Sequence, residues 1–398
     1  MNVTIMPGVA SGKINAPPSK SCAHRLLICA ALADGRSVIE NIGTNDDIAA
    51  TTACLRSLGA NIQIDGSRAV VDGISLGKRK DKVELFCNES GSTLRFLIPL
   101  SLVCSESAVF TGSDRLLERP QSVYEELFSE MDCYLKNDGK RLVAGGELKN
   151  GIYKVRGDIS SQFLTGLLFT LPLLKGDSEL VLTTPLQSSP YVDITIDVLK
   201  QFGVVIERSP NGFFIKGNQT FLPQSLSVEG DWSNAAFLEA FNLIGGAVVL
   251  EGMNEESYQG DKVYRSFYNE LENGTPVLDI TDCPDLGPVL ISCAALCNGA
   301  TLTGTKRLKI KESDRGAAMQ TELLKFGVEI TVDENEIIIP KTELKAPKEN
   351  LNCHNDHRIA MSLAILCSKV GGTLEEAQCV NKSYPEFFDN IKTLGIII

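Results

Sequence analysis

The sequence predicts an α/β protein of two domains, each built from three β-α-β-α-β-β units. Three observations support this prediction: the length of 398 residues, a pattern that recurs six times, and the alternation of helix-like with strand-like segments in each copy. This length suits two or three domains, since one domain commonly takes about 150 residues. Six copies are too many for one hydrophobic core, so we expect three copies in each domain.

The repeated pattern is a polar turn, an apolar helix-like run, a short polar break and an extended segment. Successive turns lie about 71, 70, 73, 52 and 70 residues apart. Two copies are alike letter by letter, VRGDISS at 155–161 and VEGDWSN at 228–234. The six turns begin at Ser19-Lys20-Ser21, Ser90-Gly91-Ser92, Ser160-Ser161-Gln162, Ser233-Asn234, Asp285-Leu286-Gly287 and Asn355-Asp356-His357.

Each copy continues with a strand and a second helix. The runs 33–40 and 243–250 carry apolar, β-branched residues in their second halves and predict strands. Amphipathic patterns over 48–58, 192–202 and 317–326 predict the second helices. A glycine follows each of these three segments, as expected at the end of a helix. Alternating strand-like residues come next, which completes the β-α-β-α-β-β unit.

The midpoint of the six copies lies between Val228 and Ser233. We therefore predict one discontinuous domain, residues 1–17 plus 231–398, and a second domain, residues 18–230. Because the first turn begins only at Ser19, the strands before it should pair with the C-terminal half. The chain would then cross twice between the domains, near Pro17-Pro18 and near Glu229-Gly230, and we expect an active-site cleft with a hinge between them.

Composition and charge exclude several classes of function. The chain has 38 Lys and Arg against 50 Asp and Glu, a formal net charge of −12. General nucleic-acid binding depends on neutralising phosphates, so this charge argues against it. The most apolar run, 163–174, is shorter than the ~20 residues of a membrane span and contains Thr, Gly and Pro. We expect neither a nucleic-acid nor a membrane partner.

The twelve cysteines are scattered singly, with no Cys-x-x-Cys pair. This usage is typical of small buried hydrophobic residues in a reducing compartment. The N-terminal stretch MNVTI lacks the basic start and apolar run of a secretory leader. We therefore expect a cytoplasmic protein.

Cations are concentrated at the predicted helix starts. Lys20, Arg25, Arg95 and Arg358 lie in or beside repeat turns, and Arg119 and Arg315 lie in two further clusters. Helix N-termini carry free N–H groups and a partial positive charge, so several of them facing one place would bind multiply charged anions. The alternative is ordinary N-capping with surface salt bridges. We favour an anion-binding cleft, because the cations recur at equivalent positions of an acidic chain.

Other motifs leave two interpretations open. Asp285 starts an apolar helix at a repeat turn, where it is either an N-terminal cap or a general base. Lys311-Glu312-Ser313-Asp314-Arg315 is either a solvated helix start or part of the site. His354-x-x-His357 has no third ligand cluster nearby in sequence, so we expect no metal. The turn at Lys20 lacks the glycines of a nucleotide P-loop, and neither a Gly-x-Ser-x-Gly nor a Gly-x-Gly-x-x-Gly motif follows a strand.

Six motifs occur in order along nearly the whole chain: PSKSCAHR at 18–25, SGSTLR at 90–95, ERP at 118–120, SSQFL at 160–164, KESDR at 311–315 and NDHR at 355–358. Taken together, they resemble the 5-enolpyruvylshikimate-3-phosphate (EPSP) synthase family. The resemblance implies the two-domain enolpyruvyl-transferase fold, an inside-out α/β barrel of six β-α-β-α-β-β units.

The resemblance also implies a reaction: transfer of the enolpyruvyl group of phosphoenolpyruvate to the 5-hydroxyl of shikimate 3-phosphate, with release of phosphate. This step belongs to chorismate and aromatic amino-acid biosynthesis. Both substrates are anions, and arginines suit them because their planar forks bind carboxylate and phosphate bidentately. The residues implied for shikimate 3-phosphate are Lys20, Ser21, Arg25, Ser160, Ser161, Gln162, Ser188, Tyr191, Asp285 and Lys311. Those implied for phosphoenolpyruvate are Lys20, Gly91, Arg119, Gln162, Arg315, Arg358 and Lys382.

The catalytic residues implied by the resemblance are Asp285, Glu312 and Lys20. Asp285 would face the 5-hydroxyl and Glu312 the methylene carbon of phosphoenolpyruvate, while Lys20 would share proton transfer and stabilise the departing phosphate. The reaction passes through a tetrahedral intermediate and requires neither a metal nor an organic cofactor. We expect the enzyme to be a monomer.

Three alternatives remain. The UDP-N-acetylglucosamine enolpyruvyl transferase of the same fold normally has Lys-Asn where this chain has Lys20-Ser21. A nucleic-acid 3′-phosphate cyclase built from related units is disfavoured by the net charge of −12. A binding-only relative is disfavoured because the chain retains the following residues together: Lys20, Asp285, Glu312, Arg315, Arg358 and Lys382.

Overall fold

The chain forms two compact units in a computed structural model that describes residues 1–77 and 79–398. One unit is continuous, Pro18–Glu229; the other is discontinuous and combines Met1–Pro17 with Gly230–Ile398. Gly230 belongs to the discontinuous unit, one residue earlier than the sequence-based boundary. Each unit is described separately below.

Two strands precede the continuous unit and belong to the discontinuous one: β1 (Val3–Ile5) and β2 (Ser11–Asn15). The described residues of the continuous unit then form seven α-helices and twelve strands. They are α1 (Lys20–Leu32), β3 (Arg36–Glu40), α2 (Asp46–Leu58), β4 (Asn61–Asp65), β5 (Arg68–Asp72), β6 (Lys80–Phe86), α3 (Gly91–Cys104), β7 (Ser105–Thr111), α4 (Asp114–Glu118), α5 (Ser122–Ser129), β8 (Cys133–Asn137), β9 (Leu142–Gly146), β10 (Ile152–Val155), α6 (Ser161–Thr170), β11 (Ser178–Leu182), α7 (Ser189–Gln201), β12 (Ile206–Ser209), β13 (Gly212–Ile215) and β14 (Ser225–Ser227).

These strands form three four-stranded sheets of one topology. In the order β6-β7-β9-β8, the first pair is parallel and the other two pairs are antiparallel. The sheet β10-β11-β13-β12 repeats this arrangement. The third sheet is β14-β3-β5-β4, whose parallel first strand comes from the end of the unit. The β-α-β-α-β-β unit predicted from the sequence therefore occurs three times here.

The discontinuous unit continues with α8 to α13 and β15 to β21. They are α8 (Trp232–Glu239), β15 (Ala247–Glu251), α9 (Tyr264–Asn273), β16 (Val277–Asp279), α10 (Gly287–Leu296), β17 (Ala300–Thr303), α11 (Arg315–Lys325), β18 (Thr331–Val332), β19 (Glu336–Ile339), β20 (Leu351–Asn352), α12 (His357–Val370), β21 (Gly372–Glu375) and α13 (Phe387–Thr393). Short 3-10 helices at Gly260–Val263, Pro284–Leu286, Thr305–Ile310 and Ala377–Lys382 connect them.

In this unit the repeat is partly shortened. The sheet β16-β17-β19-β18 has four strands, but β20-β21-β1 has three and β2-β15 has two. As predicted, the N-terminal strands pair with the C-terminal half: β1 is antiparallel to β21 and β2 is parallel to β15. The two-stranded sheet explains the short spacing of about 52 residues between two turns. After α9 the chain passes directly to β16, so the hairpin of the longer copies is missing.

The helix that follows each of the six polar turns lies in a core. In α1 every residue from Cys22 to Leu32 is buried, and α12 is buried from His357 to Ser368. A helix that is apolar on all sides has to be covered on all sides, which explains this position. The second helices, such as α2 and α11, keep an exposed polar face. The polar turns therefore sit at the ends of rigid, buried helices.

Within residues 1–77 and 79–398, no helix combines the length and apolar character needed to cross a membrane. The same residues contain no cluster of three or more His, Cys, Asp or Glu suited to a metal ion. All twelve cysteines are free thiols, and ten of them are buried.

Candidate active site

Lys20 is the first residue of α1 in the continuous unit. Ser19 caps this helix by accepting a hydrogen bond from the Cys22 N–H. The Lys20 Nζ lies 2.9 Å from Asp47 Oδ2, and both side chains are mostly buried, with 14% and 10% exposed. The α1 start therefore presents backbone N–H groups and an ammonium group that is already paired with a carboxylate.

Arg25 is buried and reaches back to the first turn of α1. Its Nη1 donates to the Ser21 carbonyl at 2.6 Å, and its Nη2 to the Tyr191 carbonyl at 2.9 Å. Its Nε donates to Thr195 Oγ1 at 2.8 Å. Burial lowers the pKa of Arg25 to about 10, so it stays charged near neutral pH. The side chain thus ties the starts of α1 and α7 together around one cation.

Ser188 lies just before α7 in the left-handed region, with φ 57°, and is buried. At the neighbouring helix α6, Ser160 is the cap and accepts from the Gln162 N–H at 3.3 Å, while Ser161 is buried in the first turn. Thr195 of α7 lies 3.0 Å from Thr165 of α6. Together with the link from Arg25 to α7, this contact brings the predicted serines and Tyr191 to three adjoining helix starts.

Gln162 is held by two residues of α3. Its Oε1 accepts from Arg95 Nη1 at 2.8 Å, and its Nε2 donates to Ser92 Oγ at 3.0 Å. Arg95 is 2% exposed, stacks 4.8 Å from the Phe163 ring and also donates to the Pro120 carbonyl at 3.0 Å. Arg95 therefore orients Gln162.

Arg119 lies directly against the start of α3. A Cβ atom at Gly91 would come within 2.5 Å of Arg119 Nη1 and 2.9 Å of its Cζ. Real Cβ atoms essentially never approach another atom this closely. The glycine is therefore what allows the guanidinium to lie over the first turn of α3.

The discontinuous unit holds the second group of predicted residues, centred on Asp285. The Oδ1 atom of Asp285 accepts from Lys311 Nζ at 3.1 Å and Arg315 Nη1 at 3.0 Å. Its Oδ2 atom accepts from Arg358 Nη2 at 3.0 Å. Burial alone would raise the pKa of Asp285, but Arg358, Lys311 and Arg315 outweigh it and hold that pKa well below its ordinary value. Asp285 is therefore a carboxylate at neutral pH.

Arg315 connects this carboxylate to two more. Its Nη2 donates to Glu312 Oε2 at 2.9 Å and its Nε to Asp356 Oδ2 at 2.9 Å. Burial would lower the pKa of Arg315, but Asp356, Glu312 and Asp285 raise it above its usual value. For Lys311, burial dominates and lowers the pKa despite Asp285. Three cations and three carboxylates thus balance within one cluster.

Arg358 and Lys382 complete this group. Arg358 Nη1 donates to Ser233 Oγ at 2.7 Å and to the Asp285 carbonyl at 3.1 Å. Lys382 Nζ donates to the Asn355 carbonyl, one residue before the cap of α12. Asp285, Lys311, Glu312, Arg315 and Arg358 are joined by direct hydrogen bonds, whereas Lys382 joins through the turn before α12.

Several residues of these groups were not predicted as site residues. Asp47 pairs with Lys20, Asp356 with Arg315, and Ser233 with Arg358. Asp356 and Ser233 stand in repeat turns, so their positions were a usable signal. Asp47 is the second residue of α2 and lies outside the repeat turns, so no such signal marks it in the sequence.

Comparison with known proteins adds independent information. A family model described as EPSP synthase (3-phosphoshikimate 1-carboxyvinyltransferase) matches residues 6–391. A curated protein of Clostridium perfringens named 3-phosphoshikimate 1-carboxyvinyltransferase is 42% identical over 424 aligned positions, covering 100% of this chain and 99% of the relative. A protein of the same name from Clostridium kluyveri is 42% identical and covers 99% of this chain and 97% of the relative.

The solved structure of EPSP synthase from Acinetobacter baumannii resembles the chain over its full length. The TM-score is 0.78 at 22% sequence identity, with 100% of this chain and 99% of that chain covered. This likeness confirms the fold class predicted from the sequence. The family match and the full-length relatives confirm the resemblance of the motifs, and the chain belongs to the EPSP synthase family.

Proposed function

We propose that the chain transfers the enolpyruvyl group of phosphoenolpyruvate to the 5-hydroxyl of shikimate 3-phosphate and releases phosphate. The observation that carries this proposal is the Asp285 cluster, in which Lys311, Arg315 and Arg358 surround one carboxylate. Such a cluster supplies bidentate donors for anionic substrates next to a group that can accept a proton. The chain has this arrangement together with membership of the EPSP synthase family.

Shikimate 3-phosphate is assigned mainly to the helix starts of the continuous unit. The N–H groups and side chains at the starts of α1, α6 and α7 favour a phosphate and hydroxyl groups. Arg25 supports this role because its guanidinium is already held against the first turn of α1. The proposed ligands are Lys20, Ser21, Arg25, Ser160, Ser161, Gln162, Ser188 and Tyr191, with Asp285 and Lys311 from the discontinuous unit.

Phosphoenolpyruvate is assigned to the remaining arginines and to Lys382. Arg119 over Gly91 and Arg315 with Arg358 provide planar forks for the phosphate and the carboxylate. Lys20 and Gln162 would contact both substrates. The proposed ligands are Lys20, Gly91, Arg119, Gln162, Arg315, Arg358 and Lys382.

The low pKa of Asp285 makes it a weak base while its three cations face it. Bound substrate phosphate and carboxylate groups would share those cations, and this sharing raises the pKa of Asp285 toward the range of a useful base. Anion binding and proton abstraction are therefore coupled in this proposal. Asp285 then accepts the proton of the 5-hydroxyl group while the oxygen of that hydroxyl group attacks carbon 2 of phosphoenolpyruvate.

Glu312 is the proposed donor to the methylene carbon, after it has taken up a proton from solvent. The methylene carbon thereby becomes a methyl group in the tetrahedral intermediate. In the second half of the reaction the C–O bond to phosphate breaks and a methyl proton returns to a base, which regenerates the double bond. An acid in the first step is suited to act as the base in the second. Lys20 stabilises the leaving phosphate through its positive charge.

We also propose that the protein works as a monomer in the cytoplasm. All proposed site residues come from one chain, so a second copy need not contribute to the site. The twelve free cysteines suit a reducing compartment.

The test is phosphate release from the two pure substrates, measured with both present and with each omitted. Release that requires both supports the proposal, and mass spectrometry should identify the enolpyruvyl ether as the product. UDP-N-acetylglucosamine in place of shikimate 3-phosphate provides the control acceptor. Release with that nucleotide sugar, and none with shikimate 3-phosphate, would overturn the proposal.

A further inference from the structure

Asp261 is a buried carboxylate close to the Asp285 cluster that neither the motifs nor the proposed reaction uses. It lies in the short 3-10 helix Gly260–Val263, between β15 and α9, and is 5% exposed. A buried charge is costly unless it is hydrogen-bonded or paired. Its partners therefore indicate what it does.

Asp261 is hydrogen-bonded to the side chain of Ser233, in the first turn of α8. The Ser233 oxygen in turn accepts from Arg358 Nη1 at 2.7 Å. A serine hydroxyl has one proton, so a Ser233 that accepts from Arg358 donates to Asp261. The other terminal nitrogen of Arg358, Nη2, donates to Asp285 Oδ2 at 3.0 Å. One continuous chain of hydrogen bonds thus runs from Asp261 through Ser233 and Arg358 to Asp285.

The segment that carries Asp261 is itself fixed to the start of α8. Gln259 Nε2 donates to the Gly230 carbonyl at 2.9 Å, and its Oε1 accepts from the Trp232 N–H at 3.1 Å. Its own N–H donates to Ser257 Oγ at 3.1 Å. These contacts hold Asp261 at a set place relative to Ser233, as a rigid support requires.

Both the ionised and the neutral form of Asp261 have an oxygen that can accept from Ser233, and the ionised form makes the stronger hydrogen bond. Burial raises the pKa of Asp261 to about 6, with Asp285 and Asp231 adding to the rise and Arg358 opposing it. The carboxyl group is therefore mostly ionised above neutral pH. Four titratable groups face it: Asp231 before α8, Cys283 and Asp285 at the turn before α10, and Arg358 of α12.

We infer that Asp261 is a positioning residue for phosphoenolpyruvate: through Ser233 it fixes the direction of the Arg358 fork that binds this substrate. The inference rests on the proposed function, which assigns Arg358 to phosphoenolpyruvate. Without an acceptor at position 261, the Ser233 hydroxyl can turn, and the Arg358 guanidinium loses a fixed partner. Asp261 itself touches no substrate in this inference.

The test compares the parent with Asp261→Ala, Asp261→Asn and Ser233→Ala in steady-state phosphate release. Asp261→Ala and Ser233→Ala each break the chain, and the KM for phosphoenolpyruvate should rise about tenfold, as for loss of one hydrogen bond to a charged group. The kcat and the KM for shikimate 3-phosphate should stay within about threefold. Asp261→Asn keeps an acceptor oxygen of the same shape, so it should restore the KM for phosphoenolpyruvate to within about threefold of the parent.

Ser266→Ala is the matched control, because Ser266 is exposed on α9 and contacts only Glu270 among the hydrogen bonds described for it. Thermal unfolding of each variant shows whether it is folded. If Asp261→Ala does not fold, the result for Ser233→Ala decides the test. A parent that releases no phosphate contradicts the proposed function. With an active parent, an unchanged KM for phosphoenolpyruvate in Ser233→Ala, or an equal loss in Asp261→Asn and Asp261→Ala, overturns the positioning role.

Discussion

Replacing Gly91 with alanine should move Arg119 while leaving the fold intact. The added Cβ would lie 2.5 Å from Arg119 Nη1, whereas ordinary contacts begin near 3.4 Å. The guanidinium must therefore retreat by roughly 1 Å, and a misplacement of about 1 Å can lower a rate by up to ~10²-fold. We expect kcat/KM for phosphoenolpyruvate to fall about 10- to 100-fold. The atoms in the way belong to the end of a long side chain, so the melting temperature should change by no more than about 2 °C.

The assay is phosphate release with phosphoenolpyruvate varied at saturating shikimate 3-phosphate, followed by calorimetric binding of shikimate 3-phosphate alone. Gly274→Ala is the matched control, because its backbone is extended and, among the described residues other than its two chain neighbours, no heavy atom lies within 4 Å of a Cβ at that position. This control should change neither kcat/KM for phosphoenolpyruvate nor the affinity for shikimate 3-phosphate. If Gly91→Ala kept kcat/KM for phosphoenolpyruvate within about twofold of the parent, the assignment of Arg119 to this substrate would be wrong.

Two further predictions concern the discontinuous unit. Asp285→Asn and Glu312→Gln should each lower kcat by more than about 10³-fold while shikimate 3-phosphate still binds, since each removes a proposed proton-transfer group; turnover equal to the parent in single-turnover quench experiments would contradict the assigned role. Glu322→Gln should lower the free energy of unfolding by about 1–3 kcal/mol, because the 1% exposed carboxylate accepts from Lys325 at 2.9 Å and His354 at 3.0 Å, whose own side chains remain partly exposed. Although burial opposes it, these partners lower the pKa of Glu322, so its stabilisation is present above the ordinary pKa of a glutamate and is lost as the pH falls through the folded-state value. Urea unfolding of parent and variant at pH 7 and pH 4 measures both effects, and an equal difference at the two pH values would refute this explanation.

The polar turns explain how much of the fold the sequence could predict. A capping side chain precedes the apolar run in α1, α3, α6, α8 and α12, whereas α10 begins without one. Polar turns and apolar runs are local signals, so all six buried helices were expected. The pairing of β14 with β3 was not, because Ser225 and Val38 are far apart in sequence and meet only in the folded unit. The spacing of about 52 residues was visible in the sequence, but only the structure shows that a hairpin is missing there.

The candidate site divides in the same way. Lys20, Asp285 and Arg358 stand at repeat turns and could be chosen from the sequence, because their charge type and position are both informative. The carboxylates that hold these side chains in place could not be identified from the sequence in the same way. Asp47 and Asp261 are two carboxylates among 50 acidic residues, and each depends on a partner 27 or 28 positions earlier in the sequence.

The discontinuous unit has a consequence for the order in which the nascent chain can fold. Every strand of the three sheets in Pro18–Glu229 has been synthesised once β14 is complete at Ser227. In contrast, β1 pairs with β21, which is synthesised only after the whole continuous unit. Since domains tend to fold as units during synthesis, the continuous unit is able to fold first, while β1 still lacks its partner. Until then, the unpaired edge of β1 is open to wrong pairing with another chain.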